Sequence, residues 1–351
     1  MLVLPGDLLT ATGGYEYDRR MLEGLRQLRW NSTVVALDSS FPTPTAQALE
    51  DAQRQLSALP ADSLVVIDGL ALGAMPEVVH AHKDRLRMVG LIHHPLAAET
   101  GLSPELVSRL HESERRALQA MRLVVVTSQR TGRALADFDV ASDRIAVVEP
   151  GVDQPRHADE RVCDPDAPVR MLCVATVTAR KGHELLVDAL TDLTEMDWTL
   201  TCVGSVERSP ATVRALKMRI EASGLEDRVT LMGELDEAAL QRQFRAADLF
   251  VLATHYEGYG MVVAQALAHG LPIISTRTGA IEELVRPEAG VLVEPGDWTA
   301  LRDALSRVLA DADLRRQLAA GARAAGAKLS SWSAASERMS EILASVAGAL
   351  R

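Results

Sequence analysis

The sequence is short of several things, and each shortage removes a class of protein. Aromatic residues make up 3% of its 351 residues, four each of Phe, Tyr and Trp, so aliphatic side chains must fill any core. Its three cysteines, Cys163, Cys173 and Cys202, lack the C-x-x-C pairing of a zinc or redox motif, and no histidine lies at metal-site spacing from them. Buried free thiols in a reducing compartment are the simplest expectation. No apolar run approaches the roughly 20 residues of a membrane-spanning helix, and the opening MLVLP is too short for a signal peptide. A cytoplasmic location with at most peripheral membrane contact is therefore expected. A basic excess is missing too. The net charge is −11 and is shared almost equally by residues 1–153 and the remainder, which argues against a nucleic-acid partner. The short basic runs at 82–87 and at Arg115-Arg116 read as solvated helix faces.

What is present is regular. Hydrophobic residues reach 47% and charged residues 24%, ordinary for a globular chain with a sizeable core. The length exceeds the range in which one core keeps growing, so two domains are expected. Short apolar runs at 2–5, 34–37, 64–67, 88–92, 123–126 and 145–148 alternate with helical patterns such as 15–28 and 104–120. Residues 150–168, with Pro150, Gly151, Pro155, Pro165 and Pro168, break the rhythm as a linker does. Alternation resumes with strands at 169–175, 198–203, 229–232, 249–252, 272–275 and 291–293. This is the pattern of βαβ units on parallel sheets. It divides the chain into an α/β domain over 1–153, a second over 154–331, and a final helix over 332–351 that crosses back to the first. In such folds ligands bind beyond the carboxyl ends of strands.

Two such ends stand out. After the apolar run ending at Ala253 comes Thr254-His255-Tyr256-Glu257-Gly258-Tyr259-Gly260-Met261, a glycine-containing turn that opens a helix. The free N–H groups and positive dipole end of that helix favour a phosphate or diphosphate, and Gly258 and Gly260 would let the anion approach the backbone. In the first half, Leu91-Ile92-His93-His94-Pro95 puts two histidines at a strand end, and Thr127-Ser128 ends the next strand. Ser128 reads chiefly as the N-cap of the following helix.

At these residues the chain resembles the family-4 retaining glycosyltransferases. The run Glu257-Gly258-Tyr259-Gly260-Met261, then Gln265-Ala266, Gly270-Leu271-Pro272, Gly279 and Glu283 is similar to that family's donor-site signature. Gly13-Gly14, Pro150-Gly151-Val152-Asp153, Arg180-Lys181-Gly182-His183, Gly204-Ser205 and Pro295-Gly296-Asp297 fall in the family's order along the whole chain. The resemblance implies a GT-B fold, two Rossmann-like domains with parallel sheets facing across a cleft. It implies metal-independent transfer, with retention, of a hexose from a UDP- or GDP-linked sugar to a lipid, glycan or small-molecule acceptor, with no cofactor. Lys181 matches a lysine that neutralises the donor diphosphate, Glu257 a glutamate beside the donor sugar, and His93 a histidine near the reacting sugar. Gly13, Gly14, Arg180, Gly258, Tyr259, Gly260, Met261 and Gln265 fall at substrate-binding positions, Gly13-Gly14 as a glycine loop and Gln265 where the family's second glutamate binds the ribose. Gln265 for that glutamate, and Thr176 where the family usually has an arginine, are departures. They leave open a non-catalytic nucleotide-sugar-binding protein, with a GT-B epimerase or phosphorylase as a further alternative.

The acid pairs Asp137-Phe138-Asp139 and Asp164-Pro165-Asp166 look like the D-x-D metal motif of a different transferase fold. Neither follows a strand, and both read as solvated turns. The oligomeric state is not legible.

Overall fold

The computed structural model describes residues 1–10, 12–99, 101–155 and 167–348; Cys163 and the pair Asp164 and Asp166 lie outside them. The chain divides into two compact units, Met1–Gly151 with Ser330–Arg351, and Val152–Leu329.

The first unit is built on β1 (Leu2–Pro5), β2 (Val34–Leu37), β3 (Leu64–Asp68), β4 (Arg87–Ile92), β5 (Leu123–Val126) and β6 (Ile145–Val147). All pair in parallel, in the order β2-β1-β3-β4-β5-β6. The central strands are continuous Val, Leu and Ile runs because helices cover both faces, leaving no solvent side for polar residues. Val3, Val65, Ile67, Met88, Val124 and Val126 are fully buried there.

The helix after β1 runs Gly13–Gln27, not 15–28 as the apolar periodicity suggests. Thr12 is its N-cap and its hydroxyl accepts from the Tyr15 amide at 3.4 Å, so Gly13 and Gly14 form the first helical turn and not a glycine loop. The Tyr15 hydroxyl donates to Pro5 O at 2.6 Å, anchoring that turn to the end of β1. The final helix, Trp332–Ala347, packs along this one within the first unit. It buries Met339, Ile342 and Leu343, and Trp30 Nε1 donates to Ser340 Oγ at 2.8 Å. The basic run at 82–87 is not a solvated face. Arg85 donates to Leu56 O at 2.6 Å and Arg87 donates to Ala347 O, so both guanidiniums satisfy carbonyls at helix C-termini that would otherwise need water.

The second unit is built on β7 (Val169–Val174), β8 (Trp198–Val203), β9 (Val229–Leu231), β10 (Leu249–Leu252), β11 (Ile273–Thr276) and β12 (Gly290–Val293). These too are parallel, in the order β12-β11-β10-β7-β8-β9. From β7 the chain winds outward through β8 and β9, then returns to the other side for β10 to β12. The direction reverses between β7 and β10. In the first unit the matching reversal lies between β1 and β3. Loops leaving adjacent strands diverge at such a point and open a crevice at the carboxyl edge of the sheet.

The packing of the last helix is testable. Leu343→Ala, at 3% exposure, should cost about 2–4 kcal/mol of first-unit stability. Leu9→Ala, at 76% exposure, should stay within about 0.5 kcal/mol. Denaturant unfolding followed by circular dichroism measures both; equal effects would contradict this packing.

Candidate functional site

The reversal between β7 and β10 holds most of the second-half candidates. β7 leads through Thr176 into a single turn, Ala179–Lys181, and then Gly182 and the helix His183–Thr191. β10 leads through Thr254 and His255 to Glu257. The two loops are laced by main chain. The His255 amide donates to Arg180 O at 2.7 Å, the Thr254 hydroxyl lies 3.2 Å from Arg180 O and 3.0 Å from Tyr256 O, and Arg180 Nη1 donates to Tyr256 O at 2.8 Å. Over this lattice Lys181 Nζ donates to Glu257 Oε1, with Arg180 Nη1 4.0 Å from the same oxygen. Both partners are largely buried, their side chains 15% and 11% exposed.

Two glycines make the approach possible. Gly182 has φ +68°, and a Cβ there would stand 1.9 Å from Ala253 O. Gly279 has φ +56°, and a Cβ there would stand 1.5 Å from Glu257 O. Each loop is thus seated directly on backbone, where any side chain would force it away. The helix Met261–Ala268 starts beside them from Gly260, whose φ of +90° sets the turn and which has no side chain to cap the helix. Its N-terminal N–H groups follow three residues after Glu257 and carry the positive end of the helix dipole.

Two residues with sequence-assigned binding roles are engaged elsewhere. Tyr259 is 6% exposed and packs with Val152, Ala264 and Ala280, so its ring is a core element that stiffens the turn. Gln265 Nε2 donates to Asp153 O at 3.2 Å, holding the chain where it enters the second unit. Thr176 brings no charge to the crevice, and the Arg180 guanidinium is held by Tyr256 O.

In the first unit, β1, β3 and β4 deliver a second cluster. His93 follows β4, and its Nε2 lies 3.3 Å from Asp18 Oδ1 and 3.4 Å from Asp68 Oδ2. Asp18 stands one turn into the helix Gly13–Gln27. Asp68 ends β3 and caps the next short helix, accepting from Leu70 N at 2.9 Å. Tyr17 meets the imidazole edge-on, ring centroids 5.3 Å apart, and Gly14 lies against the ring, where a Cβ would be 3.4 Å from His93 Cδ2. The Thr127 hydroxyl donates to His93 O at 3.3 Å. Ser128 caps its helix, accepting from Thr131 N at 3.0 Å, and Asp139 pairs with Arg115 at 3.1 Å.

Burial opposes charge on His93, but the Asp18 carboxylate, and Asp68 behind it, outweigh burial and push its pKa up to about 10. Burial pushes Asp18 the other way, to about 6, against the pull of His93. Near neutral pH the ring is an imidazolium, a hydrogen-bond donor with no lone pair, so it cannot act as a general base. Asp18, Asp68 and Tyr17 carry no motif that sequence reasoning could catch. The available hints were an acid one helical turn beyond Gly14 and an acid ending a strand.

The geometry has relatives. The family model described as Glycosyltransferase Family 4 matches residues 17–156, and that described as Glycosyl transferases group 1 matches residues 160–325. A curated relative, the D-inositol 3-phosphate glycosyltransferase of Xylanimonas cellulosilytica, is 32% identical over 263 residues, covering 71% of this chain. The match spans 62% of that relative's own length, less than two thirds. Among solved structures, the sucrose-phosphate synthase of Thermosynechococcus elongatus superposes with a TM-score of 0.81 at 22% identity, covering 98% of each chain. Anabaena HepE in complex with UDP and glucose superposes at 0.76 with 16% identity, covering 98% of this chain and 99% of that one. At such identities these two structures speak to the fold alone.

The carboxylate–imidazole cluster predicts a pH signature. Folding favours the charged ring, so its contribution to stability is fully present below the ordinary imidazole pKa near 6.5 and is lost as pH rises through about 10. The His93 ring should show its own titration only near pH 10, with a smaller step near pH 6 as the Asp18 carboxyl ionises, and Asp18→Asn should bring the ring's midpoint down toward neutrality. A wild-type midpoint near 6.5 by NMR would show that the carboxylates do not hold the ring charged.

Proposed function

For a chain that belongs to the family-4-like glycosyltransferases of the GT-B fold, we propose that it transfers a hexose, with retention, from a UDP- or GDP-linked sugar to a hydroxyl acceptor. The observation that carries this is the Lys181–Glu257 pair at the β7/β10 reversal, beside the side-chain-free start of the helix Met261–Ala268. A nucleoside diphosphate needs positive potential where its β-phosphate gathers charge as the glycosidic bond breaks. Lys181 and the helix N-terminus supply it from fixed positions, so they stabilise the departing diphosphate without rearranging. Gly258, Gly260 and Met261 provide the backbone on which the phosphates rest. No metal ion is required in this reading, because the lysine and the helix dipole fill the electrostatic role an ion would otherwise take.

Glu257 is the anion nearest the departing group, and its carboxylate is held in place by Lys181. We assign it to the sugar side of the donor, where a fixed carboxylate stabilises positive charge developing at the anomeric carbon. In the same-face route the anomeric carbon–oxygen bond to phosphate breaks, the acceptor oxygen bonds to the same face, and its proton passes to the leaving phosphate. The first unit carries the acceptor, and His93 acts there as a cationic donor to a sugar or acceptor oxygen. The relative from Xylanimonas is named for D-inositol 3-phosphate, which supports a polyol acceptor, and Anabaena HepE in complex with UDP and glucose supports a uridine donor. The reaction is placed in the cytoplasm.

A second reading is favoured by Gln265, turned to Asp153 O, and by Thr176, which supplies no arginine. It is a protein that binds a nucleotide sugar without transferring it. Hydrolysis and transfer assays with UDP-, GDP- and ADP-sugars, run beside thermal shift, separate the two. Turnover is expected with one nucleotide class. Lys181→Ala should lower kcat by about 10²–10³-fold while unfolding at a near-normal temperature. A stabilising shift with no turnover would establish the second reading, turnover with no acceptor beyond phosphate would point to a phosphorylase, and near-normal kinetics for Lys181→Ala would sink the site assignment.

A further inference from the structure

Behind the Lys181 loop, in the core of the second unit, lies a cluster that the proposed transfer does not use. β7 and β8 run side by side in a register that sets Cys173 opposite Cys202. The left-handed turn at Gly182 then brings His183, the first residue of its helix, over both. Cys173 Sγ stands 3.8 Å from His183 Nε2. The two sulfurs and one imidazole nitrogen all lie within 4.8 Å of one another. None is open to solvent: Cys173 is 1%, Cys202 5% and His183 2% exposed. In sequence these residues form no metal motif; it is the parallel pairing of two strands that gathers them.

We propose that Cys173, Cys202 and His183 form a structural zinc(II) site. Zinc bonds of about 2.3 Å to sulfur and about 2.0–2.1 Å to imidazole nitrogen set S···N and S···S separations of roughly 3.6–3.8 Å; the Cys173–His183 pair stands at 3.8 Å and all three donors lie within 4.8 Å of one another. The donor set is soft and nitrogenous, the kind that selects zinc over magnesium or calcium. Charge decides the ion's valence. Two thiolates and a neutral imidazole around a divalent cation sum to zero, the one total an apolar core accepts cheaply. Binding releases the two thiol protons to solvent and forms two Zn–S bonds and one Zn–N bond. Among the described residues no fourth His, Cys, Asp or Glu joins the cluster. His183 Nδ1 is buried without a partner. An ion on Nε2 would fix the proton on Nδ1. The consequence is mechanical: the ion would clamp β7, β8 and the residue two places after Lys181, fixing the lysine loop from behind.

The site stands on its own geometry and is tested apart from transfer activity. Protein purified from zinc-supplemented cultures is unfolded in guanidinium with 4-(2-pyridylazo)resorcinol, which colours on taking up zinc. About one equivalent per chain should appear, and only on unfolding. Cys202→Ser and His183→Asn should release less than about a tenth of that. Should either variant fail to fold, cobalt(II) exchanged into the wild-type chain gives the second readout, a thiolate-to-cobalt charge-transfer band with tetrahedral d–d bands. Wild-type protein without zinc, even after anaerobic incubation with excess zinc chloride, overturns the proposal. So does a cobalt spectrum without the charge-transfer band.

Discussion

The second unit is organised around one ion pair. Lys181 and Glu257 lie 76 residues apart in sequence, on loops that leave neighbouring strands in a sheet whose winding reverses between them. Neither charge could be kept this far from water alone, since an unpaired buried charge costs several kcal/mol. Each tolerates burial because the other neutralises it. The pair therefore fixes how deep both loops may sit, and the glycines follow from that. Gly182 and Gly279 occur where backbone meets backbone at distances no Cβ allows, and they bring the lysine and glutamate together.

On the proposed reading, the same constraint suits the pair to a diphosphate. A carboxylate already resting on Lys181 keeps the ammonium oriented and partly desolvated before any ligand arrives. An incoming phosphate then finds a donor in place, and the lysine can bridge two anions by a small movement. The helix Met261–Ala268 adds its dipole from the side, with Gly260 offering no side chain to cap its first turn. Lys181 and Arg180 are gathered here in a chain whose net charge is −11. Bulk charge is no guide to the local field.

Much of this was legible in residues and some was not, for a physical reason. Strands announce themselves as uninterrupted Val, Leu and Ile runs because helices cover both faces of a parallel sheet, and all twelve expected strands form within a residue or two of their expected bounds. The lysine loop and the glycine turn stand out in the sequence because each sets glycine beside a charged residue just beyond a strand end, and Lys181 and Glu257 do meet there. For Tyr259 and Gln265 the motif records which residue stands at a position and not which way it turns. Tyr259 faces the core and Gln265 faces Asp153 O. The start of the first helix was misread because Thr12, an N-cap, outweighs the apolar periodicity that suggested a start at Tyr15.

The clusters that sequence reading missed share one origin. Asp18, Asp68 and His93 come from three strand-to-helix connections of the first sheet, and Cys173, Cys202 and His183 from two neighbouring strands and a helix start in the second. In each case sequence separation carries no information, because strand pairing alone decides what lies adjacent. A parallel sheet with helical crossovers collects the carboxyl ends of all its strands along one edge, so residues tens of positions apart become neighbours there. That edge is where buried acids can hold an imidazole charged and where a lysine can stand over a glutamate. Local motifs report single loops of such a fold. Its chemistry arises between loops, and it is the order of strands, β1 beside β3 and β7 beside β10, that determines which loops can act together.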